Sequence, residues 1–149
     1  MSSLVSIITP SYNSSKFIKD CVASVFSQTY KNWEMIIVDD CSKDNSKEII
    51  SELSSKDKRI KPIFLEKNVG AAEARNTAIR QSKGKYVAFL DSDDLWNPKK
   101  LEKQLSFMYE NEIAFSYTNY QFMSENGKDL SNIISAPEKM TYDSYLKNT

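Results

Sequence analysis

Short apolar runs that break off in polar or acidic residues alternate along the chain with segments whose apolar positions recur at helical spacing. Leu4-Val5-Ser6-Ile7-Ile8-Thr9-Pro10 reads as a buried strand ended by a proline that has no N–H to donate. Ile18, Cys21, Val22, Val25 and Phe26 then predict a helix from about Ser15 to Gln28 with one apolar face. A second strand starts near Trp33 and runs through Met35-Ile36-Ile37-Val38 into Asp39-Asp40. A second helix carries Ile49, Ile50 and Leu53, with Ser42 or Asp44 as its cap, and Ile60 to Leu65 supplies a shorter third strand. Asn68-Val69-Gly70 opens a helix rich in small residues, Ala71 to Ile79, whose alanines allow close approach to a sheet. Tyr86 to Leu90 is expected as a strand buried on both faces, and it stops abruptly in Asp91-Ser92-Asp93-Asp94. Pro98 begins a fourth helix with Leu101, Leu105 and Met108 on one face. Ile113 to Met123 alternates as a strand does, Glu125-Asn126-Gly127 marks a turn, a short strand is expected near Ile133-Ile134, and a helix starts at Thr141.

Strands alternating with helices imply an α/β fold, a mostly parallel central sheet with helices on both faces joined by right-handed crossovers. The length of 149 residues fits a single domain spanning 1–149. In such sheets ligands sit beyond the carboxyl ends of the strands, where strand order reverses. Those ends carry Thr9-Pro10-Ser11-Tyr12-Asn13, Asp39-Asp40 and Asp91-Ser92-Asp93-Asp94, so the unusual loops converge on one edge.

Composition narrows what that edge can do. Lys plus Arg and Asp plus Glu are 20 each, so no overall field draws in nucleic acid or an anionic membrane. No apolar run approaches the roughly 18 residues of a spanning helix. Cys21 and Cys41 match no redox or metal spacing and are expected as free thiols in a reducing compartment. The absence of histidine excludes imidazole bases, His-ligated zinc and Ser-His triads. There is no GxxxxGK[ST] and no GxGxxG, which argues against P-loop and dinucleotide-binding sites.

Carboxylates in a crevice repel phosphate unless a cation lies between them, and an oxygen-rich site suits Mg²⁺ or Mn²⁺. Asp91 and Asp93 flank a small serine, so in an extended segment both side chains would point to one side and could share one ion. The alternative is a polar loop that caps the next helix through Asp94 or Asn97. Asp39 could accept a hydrogen bond from a base edge and Tyr12 could stack on it or pack in the core. Arg75 could reach a phosphate or pair with the acidic loops.

The runs Val5 to Asn13, Ile37 to Asp44, Asn68-Val69-Gly70 through Ala74-Arg75-Asn76, and Asp91 to Asp94 resemble the family 2 glycosyltransferases of the GT-A fold, a Rossmann-like three-layer sandwich. The Ser27-Gln28-Thr29-Tyr30 turn is similar as well, while Cys41 stands where the family usually has glycine. The resemblance implies a nucleotide-sugar donor, typically a UDP-sugar. Thr9, Pro10 and Tyr12 would line the base pocket, Asp39 would bond the base, and Arg75 would sit beside the nucleotide. Asp91 would contact the ribose or the metal, Ser92 would belong to the same donor site, and Asp93 would ligate the divalent cation, with Asp94 structural or near the sugar. It further implies inverting transfer to a glycan or lipid-linked acceptor in bacterial-type polysaccharide biosynthesis. The setting would be cytoplasmic, with peripheral association at the inner face of a membrane. The catalytic base is expected beyond Thr149, so the chain reads as the donor-binding part of a longer enzyme. Exposed aromatics between Phe107 and Phe122 would then favour a homodimer. A catalytically silent nucleotide-binding module is the main alternative, and a nucleotidyltransferase the more distant one.

Overall fold

The chain is seen in a computed structural model that describes residues 3–124, 127 and 130–138. Residue contacts divide it into two compact units, Met1–Leu105 and Ser106–Thr149. The first holds four parallel strands, β1 (Val5–Ser11), β2 (Trp33–Asp39), β3 (Ile60–Phe64) and β4 (Tyr86–Phe89), in the order β3-β2-β1-β4. The chain steps outward from β1 to β3 and then crosses to the other side of β1. Strand order therefore reverses between β1 and β4.

Alternation along β1 and β2 builds two core layers. Val5 and Ile7 of β1 with Trp33, Met35 and Ile37 of β2 pack against α1 (Ile18–Phe26) and α2 (Ser46–Lys56). Ile8, Ile36 and Val38 pack on the opposite face against Ala74 and Ala78 of α3 (Ala71–Gln81). Helix α1 buries Ile18, Cys21, Val22 and Val25, the stripe its spacing predicts. Leu101 of α4 (Lys100–Glu110) joins the first layer, anchored by Gln28. That wholly buried amide donates to the Asn97 carbonyl at 2.8 Å and accepts the Leu101 N–H at 3.1 Å, tying the start of α4 to the end of α1.

Two strands depart from expectation. β4 is not buried on both faces: it pairs only with β1 among the described residues, and Val87 and Phe89 are exposed. Residues Ile113 to Met123 form no strand. There the second unit shows isolated bridging, such as the antiparallel pair Tyr120 and Ile134, and isolated bridges give alternation no continuous ladder on which to bury a face. Within this unit Phe107, Tyr109, Phe115, Tyr117, Tyr120 and Phe122 are exposed, as the sequence leads one to expect. Gly127 has φ 75° and donates to the Ser124 carbonyl, while the rest of the expected turn, Glu125 and Asn126, and the helix expected at Thr141 lie outside the described residues.

The amino-terminal edge of the sheet is closed by a buried polar knot that the apolar pattern conceals. Glu34 sits inside the β2 run, only 4% exposed, where it accepts from Ser6 Oγ at 2.6 Å and from the Lys83 N–H at 2.8 Å and pairs with Lys61. Burial opposes its ionisation, but the hydrogen bonds from Lys61, Ser6 and Lys83 outweigh that and hold the carboxyl below its usual range.

Candidate functional site

The carboxyl-terminal ends of β1, β2 and β4 and the start of α3 surround a cleft of about 490 Å³. The opening has a backbone cause. Ile8 accepts the Leu90 N–H on the β4 side, while Ser11 accepts the Asp40 N–H on the β2 side. Pro10, two residues past Ile8, therefore faces the β4 side with no N–H to offer, at a level where β1–β4 pairing has already ended at Ile8 and Phe89. The two strands part there, and Pro10 lines the resulting space.

Loops from successive strands are clasped to one another beside it. Asn13, in a left-handed conformation with φ 51°, accepts the Lys43 N–H through Oδ1 at 2.8 Å and donates its own N–H to Ser42 Oγ at 2.9 Å. Asp44 accepts the Ser15 N–H and, through its other oxygen, the Ser46 N–H, each at 3.0 Å, so it orders the start of α2 from one position ahead of the cap, which is Asn45 and not Asp44 or Ser42. Cys41 has φ 61°, the conformation in which glycine is unstrained, so the cysteine keeps the loop path that a glycine would take.

Asp44 makes the clasp sensitive to acid. Burial opposes its charge, yet hydrogen bonds from Ser46 and Ser15 prevail and bring its carboxyl from 3.8 down to about 2. A carboxyl depressed on folding adds stability above its unfolded value and loses it as pH falls through the folded one. The Tm advantage of the native chain over Asp44→Asn is therefore expected to be constant above pH 5 and to shrink between pH 3.8 and about 2. Thermal unfolding followed across that range checks this, and a gap that does not change with pH would contradict it.

Of the residues singled out in the sequence, the structure brings Pro10, Tyr12, Arg75, Asp91, Ser92 and Asp93 together around the cleft. Tyr12 is half exposed there. Thr9 and Asp39 are buried and are not among the lining residues. Thr9 continues the strand face of Val5 and Ile7. Asp39 accepts from Ser42 Oγ at 2.5 Å and from the Ser42 N–H at 3.1 Å. Its neighbour Asp40, which the sequence reading gave no role, does line the cleft. Only 3% exposed, it accepts the Val69 N–H at 2.7 Å through one oxygen and the Gly70 N–H at 2.8 Å through the other. Such charge-assisted bonds fix the entry to α3, with Gly70 at φ 86°, and thereby place Arg75 one turn further on.

The acidic stretch is a turn, not an extended segment. The Asp94 N–H bonds the Asp91 carbonyl at 3.1 Å, so the segment lacks the extended backbone that would by itself set Asp91 and Asp93 on one side. Asn97 Oδ1 accepts the Lys99 N–H near the start of α4, which satisfies the capping alternative without using the acids. Negative charge accumulates as a result. The Asp94 carboxyl is pushed up by burial and by the charges of Asp93 and Asp91, and the buried Cys21 thiol is pushed up to about 12 by burial and by all three aspartates. Arg75 offsets this through Nη2, 2.5 Å from Asp91 Oδ1. With the two side chains 32% and 47% exposed, that pair is worth about 1 kcal/mol at most, against about 1.5–3 kcal/mol for each buried core isoleucine.

A hard divalent cation fits this donor set. The carboxylates crowd one another, their turn opens on the cleft, and oxygen is the only ligand type they offer. Among the described residues no three His, Cys, Asp or Glu side chains gather into an ion-holding group, so such an ion would complete its shell with water and phosphate oxygens.

Comparison with known proteins agrees with this architecture. Residues 6–148 match the model of the family described as Glycosyl transferase family 2. TuaG of Bacillus subtilis (strain 168), named for a glycosyltransferase role in teichuronic acid biosynthesis, is 54% identical over 98% of this chain and 58% of its own length. WfgD of Escherichia coli, named UDP-Glc:α-D-GlcNAc-diphosphoundecaprenol β-1,3-glucosyltransferase, is 47% identical over 97% of this chain and 56% of its own. The chain thus spans somewhat more than half the length of these relatives. The crystal structure of S. aureus TarS 1–349 in complex with UDP-GlcNAc superposes with a TM-score of 0.67 at 35% identity, covering 72% of this chain and 32% of that one.

Proposed function

Because the chain belongs to glycosyl transferase family 2 and has its GT-A fold, we propose that its cleft is the donor site of a metal-dependent glycosyltransferase that uses a UDP-sugar. The observation that carries this reading is the meeting of Tyr12, Asp40, Arg75 and the Asp91–Asp93 turn around one cleft at the strand-order reversal. Tyr12 offers a half-exposed ring against which a base can stack. Thr9 and Asp39 belong to the base side of the same proposal, in which Asp39, now held by Ser42, would exchange that hydroxyl for a base N–H. Asp91 and Ser92 serve the ribose and diphosphate side, and Arg75 offers a planar guanidinium to phosphate oxygens. Asp93 and Asp91 would hold Mn²⁺ or Mg²⁺, which when bound neutralises the diphosphate as it leaves the sugar.

The names of TuaG and WfgD support a place in bacterial polysaccharide assembly, with transfer to a glycan or lipid-linked acceptor hydroxyl. Inversion at the anomeric carbon, peripheral membrane association and self-association belong to the same proposal. Among the described residues no helix is long and apolar enough to cross a membrane.

Isothermal calorimetry with UDP, with and without Mn²⁺, tests the donor site directly. Binding that tightens at least about tenfold, or about 1.4 kcal/mol, when Mn²⁺ is added is the expected outcome. Folded protein that ignores UDP in both conditions would refute the proposal.

A further inference from the structure

Among the described residues that line the cleft Arg75 is the only basic side chain, and it is spent on Asp91. The acidic turn makes no other ion pair among the described residues. Asp40 is not available to compete for the guanidinium, since both its oxygens hold backbone amides of the loop before α3. The same bonds fix the helix from which Arg75 extends, so the guanidinium swings from a rigid base. Arg75 and Asp91 are both partly exposed, and a pair of that kind exchanges partners easily.

From this we infer that Arg75 is a charge-swapping positioning residue. In the empty site it occupies Asp91 as a resident counter-cation. With a divalent ion and a diphosphate present together, Asp91 would turn to the ion and the released Arg75 guanidinium would serve the phosphate oxygens. The site thereby disfavours the ion alone and favours ion and nucleotide as a pair. This inference rests on the donor-site reading above and adds to it a mechanism for cooperative loading. A ligand can shift such an arrangement only by its differential affinity for the two partnerships, and the coupling between ion and nucleotide must be reciprocal.

The test measures Mn²⁺ binding by the loss of its free-ion paramagnetic resonance signal, on the native chain, Arg75→Gln and Arg75→Lys, each with and without UDP. Arg75→Gln should bind Mn²⁺ alone about 3–10 times more tightly than the native chain, because Asp91 is no longer engaged. It should also lose most of the tightening that UDP produces in the native chain. Arg75→Lys, which keeps the charge without the planar fork, should fall between the two on both measures. Equal or weaker Mn²⁺ binding by Arg75→Gln in the absence of UDP, with native coupling intact, overturns the charge swap while leaving the donor site standing. A native chain that binds neither Mn²⁺ nor UDP overturns both.

Discussion

Alanine at Asp93 is expected to reduce Mn²⁺-dependent binding of UDP by at least about 100-fold, about 2.7 kcal/mol, while leaving the fold untouched. Asp93 is exposed on a turn, makes no ion pair among the described residues and adds its charge to a crowded set, so its removal relieves repulsion on Asp94. Tm should therefore stay constant or rise slightly. No such compensation exists on the ligand side, because Asp91 alone would be left to share its oxygens with Arg75 and the cation. Calorimetry of Asp93→Ala beside the native chain reads both quantities, through the affinity and through the melting of the same sample. Native UDP affinity in Mn²⁺ for this variant would remove Asp93 from the metal site.

Alanine at Gly84 should produce the largest loss of stability for the smallest chemical change. A Cβ there would lie 2.6 Å from Ser6 N, 2.7 Å from Ser6 Oγ and 2.8 Å from the Leu4 carbonyl oxygen. Two of these atoms are backbone of the chain entering and forming the central strand, which cannot move without disturbing pairing to both neighbours. The third is the hydroxyl that bonds Glu34 and accepts the Gly84 N–H at 2.8 Å. Escape would pull the start of β4 from β1 and leave the Glu34 knot partly unsatisfied, a cost of about 3 kcal/mol and a fall in Tm of roughly 10 °C. Chemical denaturation of Gly84→Ala checks this, and a midpoint within error of the native chain would mean that the edge is looser than the structure describes.

Where the apolar period was strong, the sequence sufficed. The strands at Val5, Trp33 and Ile60 and the helices bearing Cys21, Ile50, Ala74 and Leu101 all appear, because each buries one face against a layer of its own. The errors share a different cause. Tyr86 to Leu90 has the composition of a fully buried strand, but burial depends on position in the sheet, and strand order cannot be read from a run of five residues. Glu34 was invisible because its partners, Ser6, Lys61 and Lys83, come from three other parts of the chain. The lining role of Asp40 was hidden in a similar way. Adjacent residues at a strand end point to opposite sides, and Asp40 shares the side of Ile36 and Val38, which face α3, whereas Asp39 lies on the other. The acidic loop was located correctly, but its turn depends on the Asp94 to Asp91 hydrogen bond, which composition does not specify.

The order β3-β2-β1-β4 also bears on how the chain is made. Of these four strands the central β1 is synthesised before the others, and its β2 side can be covered as soon as Asp39 has emerged, whereas its other side waits for Tyr86. At about 5–20 residues per second, a nascent chain would carry β1 with one raw edge for roughly 2–10 seconds. During that interval the edge is a template for strands of neighbouring chains on the same polysome. Pro10, which separates β1 from β4 in the finished fold, removes one donor from that waiting edge, so the residue that opens the cleft also blunts the nascent strand against its neighbours.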